Sequence, residues 1–217
     1  MLSRETIISA LTQLSTELSK QTVIGELNLV GGTAMVLAFN ARLSTKDVDA
    51  IFEPTEAVRS AASRVAAQLN LPADWLNDAA KGFLSPSGEF EPIAVLDLPN
   101  LRVLAPTPEY TLAMKVLASR VAISPGHGDA NDIAFLIRLL DLKTSDEVMT
   151  IVSRYYDPSK LLPRSLYLVD EILEDRGRDD MQFVRRHHAV FVDLDGRESI
   201  TVRIVTDEPL HDDEQRE

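Results

Sequence analysis

The sequence of 217 residues contains no cysteine, which excludes a disulfide scaffold, a thiolate zinc site, an iron–sulfur cluster and a cysteine nucleophile. Aromatic residues are scarce, at 6%, and include a single tryptophan. No apolar run approaches the roughly 20 residues that a membrane-spanning helix needs. Residues 1–5 lack the basic-then-apolar pattern of a signal peptide. We therefore expect a soluble, cytoplasmic protein without a membrane partner.

Positive charge is in deficit, because 22 Lys and Arg residues face 34 Asp and Glu residues, a net charge of −12. Residues 206–217 contain six acids and one base, and we expect this acidic tail to be disordered. The tail accounts for −5 of the net charge, so the remaining chain still carries −7. Such a chain is poorly suited to non-specific nucleic-acid binding, so a nucleic acid is expected as a substrate only at a locally basic pocket.

Hydrophobic periodicity and turn residues predict helices and strands in an α/β (α+β) order. The predicted helices are 4–20, 34–39, 55–69, 107–121, 129–140, 145–155 and 163–175. The predicted strands are 27–30, 48–52, 90–97, 101–105, 188–194 and 199–205. We expect a mixed sheet flanked by helices over residues 1–106, a helical portion with a closing hairpin over 107–205, and the acidic tail over 206–217.

A glycine pair lies between a predicted strand and a predicted helix, in the order Val30-Gly31-Gly32-Thr33. Two glycines let the backbone approach a phosphate closely, and the amides at the start of a helix face an anion. The Thr33 hydroxyl is a further candidate for the same phosphate. A Gly-Gly turn is common, however, so this motif alone is a weak signal.

Two acids, Asp47 and Asp49, are separated by one residue at a predicted strand. Side chains at i and i+2 leave the same face of a strand, so we expect the two carboxylates side by side. Their repulsion is relieved by a cation, and Mg²⁺ prefers oxygen ligands and is often shared between carboxylates and substrate phosphates. A solvated strand face is the alternative. The glycine pair and the acid pair together favour a site that binds a phosphate and Mg²⁺.

The same residues resemble the signature of the nucleotidyltransferase superfamily, and the nearest branch is that of the AbiEii-like toxins and their uncharacterised relatives. Four motifs occur in the same order as in that branch, over roughly residues 25–140. The first motif is Gly31-Gly32-Thr33 together with Arg42, with Ser44 or Thr45, and with Asp47-Val48-Asp49. The other three are residues 71–83, Lys115 to Arg120, and Asp129-Ala-Asn-Asp132. The order of the four motifs is more specific than any one of them.

The resemblance implies a nucleotidyltransferase-like sheet that binds a nucleoside triphosphate. It implies that Gly31, Gly32 and Thr33 hold the triphosphate, while Asp47 and Asp49 bind Mg²⁺ and are catalytic. A third carboxylate on a neighbouring strand would complete the metal site and help deprotonate the attacking hydroxyl.

Two acids are candidates for that third carboxylate. Asp97, at the end of the run Ile93 to Asp97, is the better one and is expected to be both a metal ligand and catalytic. Glu91 is the second candidate.

The resemblance also implies functional roles on the later helices. Arg42, Lys115 and Arg120 are expected to contact the nucleotide, and Lys115 and Asp132 are expected to be catalytic.

Lys115 has an independent argument, because its predicted helix is apolar on nearly all sides and is expected to be buried. A buried lysine needs an anion, which is either a nucleotide phosphate or a structural partner such as Asp132, unless its amine extends to the surface. Asp129 is well placed as an N-cap, with Asp132 completing a capping box, and this structural role competes with a catalytic one.

Two further features have open interpretations. The cluster Arg185-Arg186-His187-His188 either contacts an acceptor RNA or forms a solvated strand edge. Trp75 either stacks on a base or packs in the interior.

The function we predict is magnesium-dependent transfer of a nucleotide from a nucleoside triphosphate to an acceptor hydroxyl. By resemblance the acceptor is a tRNA 3′ end and the protein is the toxin of a toxin–antitoxin pair with a cognate antitoxin. The acidic charge favours a protein acceptor instead. The alternative from another class is a non-catalytic module that binds a nucleotide or a partner on the same fold.

Overall fold

A computed structural model of the chain describes residues 1–93, 96–119 and 128–183, with side chains of the last helix as far as residue 175. The chain divides into two compact units, Met1–Glu174 and Asp175–Glu217. The described part is a mixed α+β structure, as expected from the sequence.

Seven helices occur in the described residues: Arg4–Ser19 (α1), Gly31–Leu37 (α2), Thr55–Leu69 (α3), Pro108–Ala118 (α4), Gly128–Leu139 (α5), Ser145–Tyr155 (α6) and Pro163–Phe183 (α7). The strands in the same residues are Leu2–Ser3 (β1), Gly25–Leu29 (β2), Ser44–Thr45 (β3), Val48–Glu53 (β4), Leu76–Asn77 (β5), Phe90–Pro92 (β6) and Leu101–Pro106 (β7). Each strand predicted before residue 107 thus has a counterpart, but the two-residue strands β1, β3 and β5 were not predicted.

Five strands form one mixed sheet in the order β5-β4-β2-β7-β6. The central strand β2 pairs antiparallel with β4 and parallel with β7. The outer strand β5 is parallel to β4, and β6 is antiparallel to β7. Strands β1 and β3 form a separate antiparallel pair. The carboxyl end of β2 therefore lies beside the amino end of β4, where the glycine pair and the acid pair meet.

Side-chain caps start α1, α4 and α6 within one residue of the predicted positions. The Ser3 hydroxyl accepts a hydrogen bond from the Thr6 amide at 3.2 Å and begins α1. The Thr107 hydroxyl accepts from the Tyr110 amide at 3.3 Å and begins α4. Thr144 and Glu147 form a capping box at α6. These local bonds explain why the helix starts were predictable.

Two buried cores build the unit Met1–Glu174. The first packs one sheet face against α1 and α3, and it contains Trp75, whose indole N–H donates to the Ala62 carbonyl at 3.0 Å. This confirms the packing interpretation of Trp75. The second core packs residues of α2, α4, α5 and α6 together with Val169 of α7. The first core supports the sheet and the second supports the helices that carry Lys115 and Asp132.

A polar network joins α1 to α3 beside the first core. Glu17, whose side chain is only 3% exposed, accepts hydrogen bonds from Lys20, Arg64 and Gln68 at 2.6–2.9 Å. The bond from Lys20, followed by those from Gln68 and Arg64, lowers the pKa of Glu17 from its ordinary 4.5 to about 2.

Acid unfolding tests the Glu17 network. A depressed pKa means that the ionised carboxylate stabilises the fold fully above about pH 4.5, and that this contribution is lost as the pH falls toward 2. We expect Glu17→Gln to be less stable than the wild type at pH 7 and nearly equal to it at pH 2. Urea unfolding at a series of pH values measures the difference, and a gap that stays constant between pH 5 and 2 would contradict the assignment.

Several element boundaries differ from the predicted ones. Strand β6 covers only Phe90–Pro92 of the predicted run 90–97, and the two-strand pairing with β7 is confirmed. Helix α7 extends to Phe183, beyond the predicted end near residue 175. The closing hairpin, the cluster at residues 185–188 and the acidic tail lie outside the described residues. Within the described residues, no helix is both long and apolar enough to cross a membrane.

Candidate active site

The glycine pair forms the sharp turn by which the chain passes from β2 into α2, of which it is the first two residues. Gly31 has φ +60°, a left-handed conformation that glycine adopts without strain. The preceding residue, Val30, donates its amide to the Asp49 carbonyl at 2.9 Å, which joins the turn to the start of β4. The turn and the acid pair are therefore held at one end of the sheet.

Both glycines lie against other side chains of the site. A Cβ atom at Gly31 would lie 3.0 Å from Oδ2 of Asp49, and a Cβ atom at Gly32 would overlap the hydroxyl oxygen of Thr45. The protein's own packing thus requires glycine at both positions. A phosphate contact at this turn stays a prediction.

Gly32→Ala should destabilise the fold by about 1–3 kcal/mol because the added methyl group collides with the Thr45 hydroxyl. Removing that hydroxyl in the double variant Gly32→Ala/Thr45→Ala should restore part of the loss. Urea unfolding of the two single variants and the double variant gives the coupling between the positions. Strictly additive effects would show that the two side chains do not meet.

The two carboxylates lie at the amino end of β4. Val48, Ala50 and Phe52 point to the buried face, as predicted, and Asp49 lies on the opposite, half-buried face. Burial raises the pKa of Asp49, and the negative charge of Asp47 raises it further, while a hydrogen bond from Asn77 lowers it. Two close, mutually destabilising carboxylates are a donor set that suits a divalent cation.

Thr33 has a structural contact rather than an open hydroxyl. Its side chain is buried and donates to the backbone carbonyl of Asp47 at 3.0 Å. This bond holds the residue before β4 against α2. The expected contact between Thr33 and a phosphate stays a prediction.

Four charged side chains, Arg42, Lys115, Asp129 and Asp132, form what we call the ion cluster. The guanidinium of Arg42 donates from Nε and Nη2 to the two oxygens of Asp132 at 2.6 and 2.7 Å. The amine of Lys115 lies 2.7 Å from Oδ2 of Asp132 and 2.8 Å from Oδ1 of Asp129. The cluster thus joins the α2–β3 connection to α4 and α5.

The ion cluster confirms one expectation for these residues and corrects another. Helix α4 is buried around Lys115, as predicted. Of the alternatives left open for the amine, the structure shows the structural partner Asp132, and it adds Asp129. The expected N-cap at Asp129 is wrong, because α5 begins at Gly128 and Asp129 lies inside the first turn. Its carboxylate binds Lys115 instead.

The ion cluster and the glycine turn adjoin each other. The nitrogen Nη1 of Arg42 lies 3.7 Å from the position that a Cβ atom of Gly32 would occupy. The positive charge of Lys115 also acts to lower the pKa of Asp49, which places Lys115 within electrostatic reach of the acid pair. The structure therefore brings together the turn, both acids, Arg42, Lys115 and Asp132.

Asp97 is not part of this assembly. It lies in the connection that leads into β7, and Leu101 at the start of β7 pairs with Gly25 at the start of β2. This is the end of the sheet opposite to the glycine turn. Because β6 is antiparallel to β7, the chain enters β7 at this far end, and Asp97 therefore lies away from the acid pair.

Glu91, the second candidate, lies on the wrong face of the sheet. Glu91 pairs with Ala105, so both side chains lie on the sheet face that packs against α1 and α3. Asp49 lies on the opposite face, together with Asn28 on β2 and Leu104 on β7. Within the described residues no group of three or more His, Cys, Asp or Glu side chains is arranged to hold a metal ion. Arg120 lies outside the described residues.

Asn77 is a further residue of the site, and no sequence pattern indicates its role. Strand β5 pairs Asn77 directly with Asp49, and the Asn77 side chain donates to the Asp49 carboxylate while its own oxygen accepts from the Ala79 amide at 3.0 Å. A two-residue parallel strand has no periodicity to reveal it. The only sequence signal was the position of Asn77 within the motif at residues 71–83.

The candidate site is therefore an end of a mixed sheet where a glycine turn, two carboxylates, an amide and an ion cluster meet. Its acids and cations come from four separate stretches of the chain. Comparison of the chain with protein-family models, with curated proteins and with solved structures found no match.

Proposed function

We propose that the protein is a divalent-cation-dependent nucleotidyltransferase with a nucleotidyltransferase-like sheet. The observation that carries the proposal is the meeting of the Gly31–Gly32 turn, the Asp47/Asp49 pair and the cations Arg42 and Lys115 at one sheet end. A triphosphate needs cations for its oxygens and an approach to the backbone, and the acid pair suits the metal that accompanies it.

Asp47 and Asp49 are the residues that would hold Mg²⁺. They fit this role because both offer oxygen ligands and because the ionised form of Asp49 is disfavoured by burial and by Asp47. A bound Mg²⁺ neutralises charge on the phosphates and on the attacking and leaving oxygens. Asn77 orients the Asp49 carboxylate from the neighbouring strand.

The cations act on the triphosphate itself. Lys115 and Arg42 bind phosphate oxygens and hold the α-phosphate where an acceptor hydroxyl attacks it. The new oxygen–phosphorus bond forms as the bond between the α-phosphorus and the bridging oxygen breaks, pyrophosphate leaves, and the proton of the hydroxyl passes to solvent. Asp132 holds both cations through its two oxygens and acts as a positioning residue. Catalysis then depends on placement and on charge neutralisation.

A second candidate function is nucleotide binding without transfer. It is favoured by Leu104: on β7, two strands from β4, the sheet face that carries Asp49 has this apolar residue and not a carboxylate. It is also favoured by the placements of Asp97 and Glu91 away from the acid pair. A third carboxylate was the expected general base for the attacking hydroxyl, and neither candidate for it lies at the acid pair.

We extend the proposal to the acceptor and to the biological role. A tRNA 3′ end is the acceptor that the family resemblance suggests, within a toxin–antitoxin pair that includes a cognate antitoxin. The net charge of −12 favours a hydroxyl on a protein partner, since an acidic chain repels a polyanion.

Label transfer tests these functions directly. The full chain is incubated with each α-³²P-labelled nucleoside triphosphate, Mg²⁺ and either total cellular RNA or total cellular protein. We expect label on one acceptor class with one preferred nucleotide, and loss of label when EDTA is added. Nucleotide binding without any label transfer would support the second function, and absence of both binding and transfer would refute both.

A further inference from the structure

The two carboxylates that bind Lys115 differ in how firmly they are held. Asp132 is 3% exposed, and its oxygens accept three hydrogen-bonding contacts, two from Arg42 and one from Lys115. Asp129 is 41% exposed, and among the residues that the structure describes its side chain makes one polar contact, with the Lys115 amine at 2.8 Å. An anion from solvent can therefore replace Asp129 at Lys115 far more readily than it can replace Asp132.

The burial of Lys115 explains why its second partner matters. The Lys115 side chain is only 10% exposed, so little water is available to solvate its ammonium group. An amine with three donors in such a place binds any anion that reaches it. In the free protein the anion that reaches it from the exposed side is Asp129.

Arg42 offers a second donor on the same side. Asp132 engages Nε and Nη2, and Nη1 has no hydrogen-bond acceptor among the residues that the structure describes. This nitrogen lies near the Gly31–Gly32 turn, 3.7 Å from the Cβ position of Gly32. A ligand that replaced Asp129 would thus find Lys115 and Arg42 together.

We infer that Oδ1 of Asp129 occupies, in the free protein, the position that a phosphate oxygen of the bound ligand takes on Lys115. The inference rests on the proposed function and names the phosphate subsite within the same site. The ligand class is a polyphosphate, because several oxygens with high negative charge can engage Lys115 and Arg42 at once. Asp129 is then a built-in competitor that sets how much anion is needed to occupy the site.

Binding of inorganic tripolyphosphate to the full chain, measured by isothermal titration calorimetry without divalent metal, tests the inference. Asp129→Asn removes the competing charge, and we expect it to bind tripolyphosphate about two- to fivefold more tightly than the wild type, the range set by a half-exposed ion pair. Asp146→Asn is the matched control. It removes the same charge from the first turn of α6, at an exposed residue without an ion pair among the described residues.

The double variant Lys115→Met/Asp129→Asn identifies the cation involved. We expect the gain from Asp129→Asn to disappear when Lys115 is absent, since the competition is for that amine. A melting curve for each variant confirms that the folded protein is titrated.

Four results would overturn the inference. They are equal or weaker binding by Asp129→Asn, an equal gain in Asp146→Asn, a gain that persists without Lys115, and no binding by either the wild type or Asp129→Asn. Label transfer is measured separately. Transfer without any effect of Asp129→Asn on tripolyphosphate binding refutes this inference alone, and the expected binding changes without transfer refute nucleotide transfer alone.

Discussion

Asp49→Asn is expected to lower the rate of nucleotide transfer by at least about 100-fold, while raising the melting temperature of the metal-free protein. Asparagine keeps the shape of the side chain and an oxygen that can accept from Asn77, but it removes the charge that a metal requires. Burial and the neighbouring Asp47 raise the pKa of Asp49, so its ionised form opposes folding at neutral pH.

The sign of the pH dependence follows from that raised pKa. Wild-type Asp49 becomes less unfavourable as it takes up a proton in acid. The stability advantage of Asp49→Asn should therefore be largest near pH 7, should shrink as the pH falls through the raised pKa of Asp49, and should be nearly gone below its ordinary value of 3.8. Thermal unfolding of both proteins in EDTA at several pH values measures this. An advantage that does not change with pH would contradict the raised pKa of Asp49.

Asp97→Asn is the control that the chain itself provides. The sequence favours Asp97 as a third metal ligand, but the structure places it at the other end of the sheet, so its variant should transfer nucleotide at the wild-type rate. Mg²⁺ at a hundredfold excess over its Kd should stabilise the wild type and Asp97→Asn by about 2.7 kcal/mol, and Asp49→Asn much less. A large loss of transfer in Asp97→Asn would contradict the placement of Asp97 away from the acid pair.

Asp132→Asn should cause the largest loss of stability among single variants of the site, about 3–5 kcal/mol. The carboxylate is buried and neutralises both Arg42 and Lys115. An amide can satisfy part of the Arg42 contact, but it places an N–H group against a cation and leaves two neighbouring positive charges with less compensation. Urea unfolding at pH 7 measures the loss.

Lys115→Met provides the comparison. Methionine fills a similar volume within buried α4, and Asp132 keeps its two bonds from Arg42, so the carboxylate is not left without a partner. The loss of stability should therefore be clearly smaller than for Asp132→Asn, while tripolyphosphate binding falls. Equal destabilisation by the two variants would mean that Lys115, rather than Arg42, is the main partner of Asp132.

The parts of the fold that were predictable depend on neighbouring residues in the sequence. Helix α1 follows from the Ser3 cap and a spacing of apolar residues that a helix places on one face. The alternation in β4 predicted which residues are buried. Strand β5 was missed because its pairing with β4 is non-local and involves only two residues on each strand.

The site was predictable where motif and geometry coincide. The glycine turn and the acid pair are adjacent in space because β2 and β4 are paired. The bond between Arg42 and Asp132 joins residues 90 positions apart, and no local pattern indicates which acid a given arginine will meet. The same holds for Asp97, whose distance from the site depends on where the chain turns back after β6.

The distribution of aromatic residues gives each core of the unit Met1–Glu174 its own spectroscopic reporter. Trp75, the single tryptophan of the sequence, lies in the core of the sheet, α1 and α3. Tyr110 stacks on Tyr156 and lies at a tilt against Tyr155 in the core of α4, α5 and α6, and it accepts a hydrogen bond from the Ser85 amide. Tryptophan emission excited at 295 nm would follow the first core. Tyrosine absorbance, sensitive to the loss of that stacking, would follow the second. Coincident transitions would mean that a substitution in the ion cluster is felt throughout the unit, and separate transitions would mean that the helices can open while the sheet with its acid pair stays folded.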